Sequence, residues 1–265
     1  EHFFSRELAA QLVLMGKQAD LVVANNVLAH VPDINDFVSA FALLLKPDGV
    51  ATFEFPYLYE MIIKSQFDTV YHEHYSYLCL STVERFFRTN AMTIFDVEEL
   101  PTHGGSLRVY AQREDTGDRP KSDIVVELLK KEQQAGMSTP WFYAGFQARA
   151  EQVKNEFLTF LLEGKQQEKT IAAYGAAAKG NTLLNYAGIR PDLVPFVVDK
   201  NPAKQGKYLP GSRIPILAPD ILDEKRPDYL VILPWNIADE IKQQNEGLAK
   251  NGTRFVTAVP SLETT

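Results

Sequence analysis

Ala19-Asp20-Leu21-Val22-Val23-Ala24, followed by Asn25-Asn26, is the stretch that decides the fold. The apolar run is strand-length and stops at two turn-forming amides. Before it, residues 6–16 place Leu8, Ala9, Leu12 and Leu14 at helical spacings. After it, a helix is expected through residues 37–45, then a turn at Pro47-Asp48-Gly49 and a second strand at residues 50–55, closed by Pro56. Helix, strand, helix, strand predicts an α/β fold built on a parallel sheet. Ligands of such sheets lie beyond the carboxyl ends of the strands. Here those ends are Asn25-Asn26 and the run from Glu54 to Tyr57.

Farther along, residues 66–77 are dense in polar and aromatic groups. Residues 81–88 read as a helix opened by a Ser81 cap. Strands are expected at residues 93–97 and 106–111. The composition turns charged at residues 113–123, with Gly117 and Pro120, and a domain boundary is placed there. This divides the chain into 1–113 and 114–265. The second part opens with a helical segment at 120–165. A Rossmann-like rhythm follows over 166–265, with strands at 170–174, 194–199, 229–233 and 254–259.

Two domains suit 265 residues, since one domain takes roughly 100–200. Hydrophobic residues at 45% and charged ones at 23% fit an ordinary globular protein. A net charge of −7 and a pI near 5.3 argue against nucleic acid as a partner. Cys79 is the single cysteine, so neither an internal disulfide nor a cysteine zinc cluster can form. Neither a membrane-length apolar run nor a signal peptide is visible, and a cytoplasmic setting is expected. A start at Glu1 rather than Met suggests a truncated or trimmed chain.

All five histidines, His2, His30, His72, His74 and His103, fall in the first 105 residues, which assigns any histidine chemistry to the first half. His72-Glu73-His74 has three readings. On a strand, its imidazoles would share one face and, with His103, suit a metal ion. Beside a carboxylate and flanked by Tyr71 and Tyr75, they suit general acid–base catalysis. The third reading is a solvated loop. His103-Gly104-Gly105-Ser106 offers backbone N–H groups for close approach to a ligand, or a plain turn. Gly175-Ala176-Ala177-Ala178-Lys179-Gly180-Asn181-Thr182 joins a strand to a helix, where exposed N–H groups bind phosphate and Lys179 adds charge. It is neither a P-loop nor a full Gly-x-Gly-x-x-Gly. Asp199 ends the following strand, near where a dinucleotide fold puts its ribose-binding acid.

Several of these stretches together resemble the sugar C-methyltransferase family, which includes the tetronitrose-pathway C-3′-methyltransferase. They are residues 24–33 (ANNVLAHVPD), 66–77 (QFDTVYHEHYSY), 100–108 (LPTHGGSLR), 174–185, and 199–216 with Lys204-Gln205-Gly206 and Leu209-Pro210-Gly211. The resemblance implies a cysteine-rich zinc domain, a central domain binding S-adenosylmethionine (SAM), and a C-terminal Rossmann-like domain that helps hold a nucleotide sugar. In this chain the zinc domain and the first SAM-binding turn are missing. Zinc is therefore expected only in that missing domain, with no metal here, and the SAM site is incomplete. The fold it implies is a partial class I methyltransferase domain, a helical linker and a second Rossmann-like domain. By resemblance His74 is the base, Tyr71 and Glu73 position it or bind sugar, and His30 lies on the cofactor side. Asn25 and Asn26 face the cofactor, while His103, Gly104, Lys179, Asn181 and Lys204 contact a nucleotide-diphosphate sugar. The activity so implied is methylation of a carbon beside the carbonyl of a keto-deoxysugar. The alternative is an inactive nucleotide-sugar-binding fragment.

Overall fold

The computed structural model describes residues 2–265. In chain order the elements are α1 (Arg6–Leu14), β1 (Ala19–Asn25), α2 (Ile34–Leu44), β2 (Leu45–Pro56), α3 (Leu58–Ile63), α4 (Leu80–Thr89), β3 (Met92–Leu100), β4 (Ser106–Arg113), α5 (Asp123–Ala135), α6 (Phe146–Gln166), β5 (Ile171–Tyr174), α7 (Ala178–Tyr186), β6 (Val197–Val198), β7 (Ile216–Leu217), α8 (Ile221–Lys225), β8 (Tyr229–Ile232), α9 (Ala238–Gln244), α10 (Glu246–Lys250), β9 (Arg254–Thr257) and β10 (Glu263–Thr264). They form two compact units. The first takes the chain up to Ile63 and His72–Ala144; the second takes Lys64–Tyr71 and Gly145–Thr265.

In the first unit the sheet order is β1-β2-β4-β3. β1 and β2 are parallel, as expected, but β4 runs antiparallel to both its neighbours, so the sheet is mixed rather than parallel. The cause is local. β3 and β4 are joined by the short Pro101–Gly105 connection, and a link that short returns the chain antiparallel. The expected turn at Pro47-Asp48-Gly49 does not interrupt β2. It is a bulge there, since Ala19 pairs Leu45 while Leu21 already pairs Val50. A side chain at Gly49 would meet the Ala19 carbonyl at 2.9 Å, so only glycine lets the strands close over it. The core is aromatic, with Phe41 4.5 Å from Phe53 and Phe53 4.8 Å from Phe87. β1 lies at the sheet edge and leaves Leu21 and Val23 more than half exposed.

The charged stretch at 113–123 is a surface turn within the first unit, which corrects its reading as the domain boundary. Gln112 and Arg119 exchange two hydrogen bonds across it, and Ser122 N–H donates to the Phe95 carbonyl. Val125 and Leu128 of α5 then enter the first core. Of the 120–165 helical segment, α5 therefore belongs to the first unit and α6 to the second, and the chain parts at Ala144.

α4 corrects another expectation. Its cap is Cys79, not Ser81; the Cys79 Sγ lies 3.3 Å from Ser81 Oγ and Thr82 Oγ1 but caps no helix amide. Instead the Glu132 carboxylate, 1% exposed, accepts from the Leu80 and Ser81 amides at 2.7 and 2.8 Å. These amides would otherwise be unsatisfied donors at a helix start, and an anion suits that end of the dipole.

The second unit carries the order β10-β9-β8-β5-β6-β7, with every pair parallel except β9–β10. The sequence direction reverses between β5 and β8, the switch point where doubly wound sheets bind ligands. Four of its strands fall where the sequence placed them, and β7 and β10 are too short to read from periodicity.

Glu132→Ala should cost about 2 kcal/mol of stability, because two amides at the helix start, one of them buried, lose a charged acceptor. Urea unfolding followed by circular dichroism measures this, and a change under about 0.5 kcal/mol would remove Glu132 from the account of α4.

Candidate functional site

In the first unit the β1–β2 ladder ends with Asn25 paired to Glu54. One residue on, the Asn26 amide donates to the Glu54 carbonyl at 2.7 Å. Asn26 adopts φ 54°, a left-handed conformation that asparagine tolerates better than most residues. Its side-chain Oδ1 is buried without a hydrogen-bond partner. A buried acceptor at the carboxyl end of a parallel strand fits a ligand that donates there. Asn25 is exposed.

The turn Leu28–His30 follows. Residues 72–77 are folded against it as turns rather than a strand, which removes the alternation that would aim His72 and His74 at one ion. Tyr75 and Ser76 amides both donate to the Ala29 carbonyl, at 2.8 and 3.3 Å. His30 Nδ1 lies 3.0 Å from the Glu73 carbonyl. A carbonyl only accepts, so Nδ1 carries the proton, and in the neutral ring Nε2 keeps a lone pair. The His30 and His74 rings meet edge to face at 4.7 Å, and Tyr77 flanks His74 at 5.8 Å. His72 and Glu73 are exposed. Among the described residues, no three His, Cys, Asp or Glu side chains gather as a metal ligand set.

A buried carboxylate stands at the end of β2, on a residue the sequence reading noted only as a strand end. Glu54, 5% exposed, accepts from Arg108 at 2.8 Å and from Thr102 Oγ1 at 3.0 Å. The bond to Glu54 raises the Arg108 guanidinium still further above its ordinary value. Glu54 thereby ties the 101–105 connection to the strand end. His103 in that connection is exposed at φ 56°. Gly105 has φ 129° and abuts Glu60, so a Cβ there would sit 2.7 Å from Glu60 Cγ. Tyr57, also at the end of β2, is 1% exposed; burial first, then the Glu132 carboxylate, pushes its phenol well above the usual range.

In the second unit the expected contact residues lie around α7. Gly175, at φ 91°, packs so closely on Pro234 that a Cβ would meet Pro234 Cδ at 2.5 Å. The Ala176 amide donates to the Asp199 carboxylate at 2.8 Å, and Lys204 bridges the Ala176 carbonyl and Asp199 at 2.9 and 3.1 Å. Burial works to raise the Asp199 carboxyl, but the Asn201 amide, Lys204 and the Ala176 amide hold it below its ordinary value. Asp199 is thus taken up by its own loop rather than offered to a ribose. Asn181 has a buried Oδ1 without a hydrogen-bond partner. Lys179 donates to Asn236 Oδ1 at 2.6 Å and lies 4.4 Å from the Trp235 ring centre.

Trp235 in turn donates to Asp68 Oδ2 at 2.7 Å. Burial pushes the Asp68 carboxyl up to about 6, against the Trp235 bond and the Lys179 charge. Burial also pulls Lys179 below its ordinary value, while Asp68 works the other way. The sequence reading missed Asp68, Trp235 and Asn236. The signal was the position of Trp235-Asn236 just beyond a parallel strand, at the switch point. Tyr71 ends the 64–71 segment of this unit.

Asp68 binds its proton more tightly folded than unfolded, so its contribution to stability is full below the ordinary value of 3.8 and is lost as pH rises through about 6. Asp68→Asn should flatten that loss, a difference of roughly 2 kcal/mol between pH 4 and 7.5. Denaturant unfolding across that range tests it, and parallel curves for variant and parent would contradict the assignment.

The C-methyltransferase C-terminal domain family matches residues 101–260. The C-methyltransferase NovU of Streptomyces niveus is 35% identical over 257 residues, 97% of this chain and 61% of NovU. The chain thus spans about three fifths of the length of that relative. Among solved structures, the Burkholderia thailandensis 1,6-didemethyltoxoflavin-N1-methyltransferase overlaps 38% of this chain and 45% of its own, with a TM-score of 0.30 and 19% identity. The magnesium protoporphyrin IX methyltransferase of Synechocystis PCC 6803 overlaps 38% and 48%, again at 0.30 and 19%. Both overlaps are partial. The family match covers more than half of the sequence, and the chain belongs to the C-methyltransferases that carry this C-terminal domain.

Proposed function

We propose that the chain is the greater part of a SAM-dependent enzyme that methylates a carbon beside the carbonyl of a nucleotide-linked keto-deoxysugar. The observation that carries this reading is the paired His30 and His74, held edge to face at 4.7 Å beside the strand ends, in a chain of C-methyltransferase family. A C–H bond beside a carbonyl is acidic enough for an imidazole to break when the resulting enolate is stabilised. SAM, when bound, supplies the methyl group as an electrophilic sulfonium. Asn26 offers it a buried acceptor, and Asn25 lines the same strand end.

His74 takes the proton from the substrate carbon. The electron pair left behind would spread onto the carbonyl oxygen and then form the carbon–carbon bond to the methyl group as that group's bond to the SAM sulfur breaks, with S-adenosylhomocysteine as the leaving group. Glu73 and Tyr71 position the base or bind the sugar. One observation favours His30 as the proton acceptor instead: its Nδ1 bond to the Glu73 carbonyl leaves Nε2 as the basic atom. His103 and Gly104 are proposed to contact the sugar, and Asn181, Lys179 and Lys204 the nucleotide diphosphate. Of these last three, Asn181 keeps a buried, unpartnered Oδ1 that can accept from a ribose hydroxyl or a base N–H of the nucleotide but not from its phosphate oxygens, while both lysines already hold protein acceptors.

The test uses SAM labelled in its methyl carbon and a nucleotide-linked keto-deoxysugar, with carbon NMR of the product. A labelled methyl bonded to carbon is expected; a methyl on oxygen or nitrogen would sink the reading. His74→Gln should lower kcat by roughly 10²–10⁴. If His74→Gln keeps its turnover while His30→Asn loses it, the base is His30. Calorimetry with S-adenosylhomocysteine separates an inactive sugar-binding chain, which would bind the nucleotide and not the cofactor product.

A further inference from the structure

Between Ile63 and His72 the chain leaves the first unit, and Lys64–Tyr71 packs in the second. Phe67 is buried in the second unit's core, with its ring 5.3 Å from that of Tyr186 on α7. Apolar packing of this kind holds a segment but sets its register weakly, because dispersion contacts have no direction. The next residue supplies direction. Asp68 is 0% exposed and accepts the Trp235 indole N–H at 2.7 Å. Lys179, the charged group facing it from α7, covers the same indole at 4.4 Å and is tied to Asn236. Asp68 Oδ1 is buried with no hydrogen-bond partner, so the carboxylate is placed for Trp235 and not for a solvated surface. A charge-assisted bond in a dry setting is strong and geometrically selective. Immediately after it, the Thr69 and Val70 amides donate to the Gln66 and Phe67 carbonyls at 3.1 and 3.0 Å, which carries the fixed geometry up to Tyr71. His72-Glu73-His74 follows with no intervening residue.

We propose that Asp68 and Trp235 are positioning residues. Their bond fixes the register of residues 64–71 on the second unit and so sets the place of Tyr71 at the end of that segment. The catalytic consequence rests on the methyl-transfer reading; the latch itself does not.

Trp235→Phe removes the donor and keeps an aromatic ring. In the full chain, amide hydrogen exchange at Thr69 and Val70 should quicken about tenfold or more in this variant, while Ile171–Tyr174 in β5 keeps its rates. Asp68→Asn retains an acceptor for the indole but loses the charge, so exchange there should quicken less than in Trp235→Phe. Unchanged exchange at Thr69 and Val70 in Trp235→Phe overturns the latch. Equal quickening in β5 also overturns it, because the loss is then general unfolding. In turnover, Trp235→Phe should lower kcat about tenfold with the KM for SAM unchanged. Parent-like kcat beside faster exchange overturns the positioning role. If parent and variant alike transfer no methyl group while the exchange pattern holds, the methyl-transfer reading fails and the latch stands.

Discussion

The main-chain bond from Asn26 to the Glu54 carbonyl is the hinge of the first unit. It extends a parallel ladder one residue past its strand, and the chain then turns left-handed at Asn26. That turn sends residues 28–30 across the strand ends, where the Ala29 carbonyl receives two amides and His30 reaches the Glu73 carbonyl. The meeting of His30 and His74 is therefore a backbone consequence before it is a side-chain one. From the β2 side, the Glu54 carboxylate fastens the 101–105 connection to the same edge. A single pair of adjacent strand ends thus gathers residues from positions 26 to 108.

Much of this was legible in the sequence, for definite reasons. β1 and β2 announce themselves as apolar runs bounded by turn residues, and the general rule for strand ends then picks out Asn25, Asn26 and Glu54 without a structure. The clustering of histidines in the first half identified the unit that holds the pair. What could not be read is what depends on contacts distant in sequence. The cap of α4 comes from Glu132, some fifty residues on, while Ser81 looked like a sufficient local answer. The charged stretch at 113–123 looked like a linker because a surface turn and a linker share a composition; only its bonds to Gln112 and Phe95 tell them apart. The link from Asp68 to Trp235 spans 167 positions and leaves no periodic trace.

At its switch point the second unit departs from the dinucleotide pattern in a physical way. Such folds leave the first turn open, so that phosphate oxygens can face bare amides. Here Pro234 closes on Gly175, and the Asp199 carboxylate already receives the Ala176 amide. A permanent internal anion satisfies part of what a pyrophosphate would have sought. In the proposed reading a nucleotide would meet Asn181 as an acceptor for its hydroxyl or N–H groups, and Lys204 through the face it keeps toward solvent.

The edge strand β1 has a bearing on what the first sheet can still accept. Its outer side offers a row of main-chain donors and acceptors, and Leu21 and Val23 place apolar surface beside them. Proteins usually blunt such an edge with charge or proline, because any extended chain can add to it as another strand. Asp20 and its ion pair with Lys46 guard only the entry end. A further strand laid along β1, whichever segment supplies it, would satisfy that row and cover Leu21 and Val23 in one step.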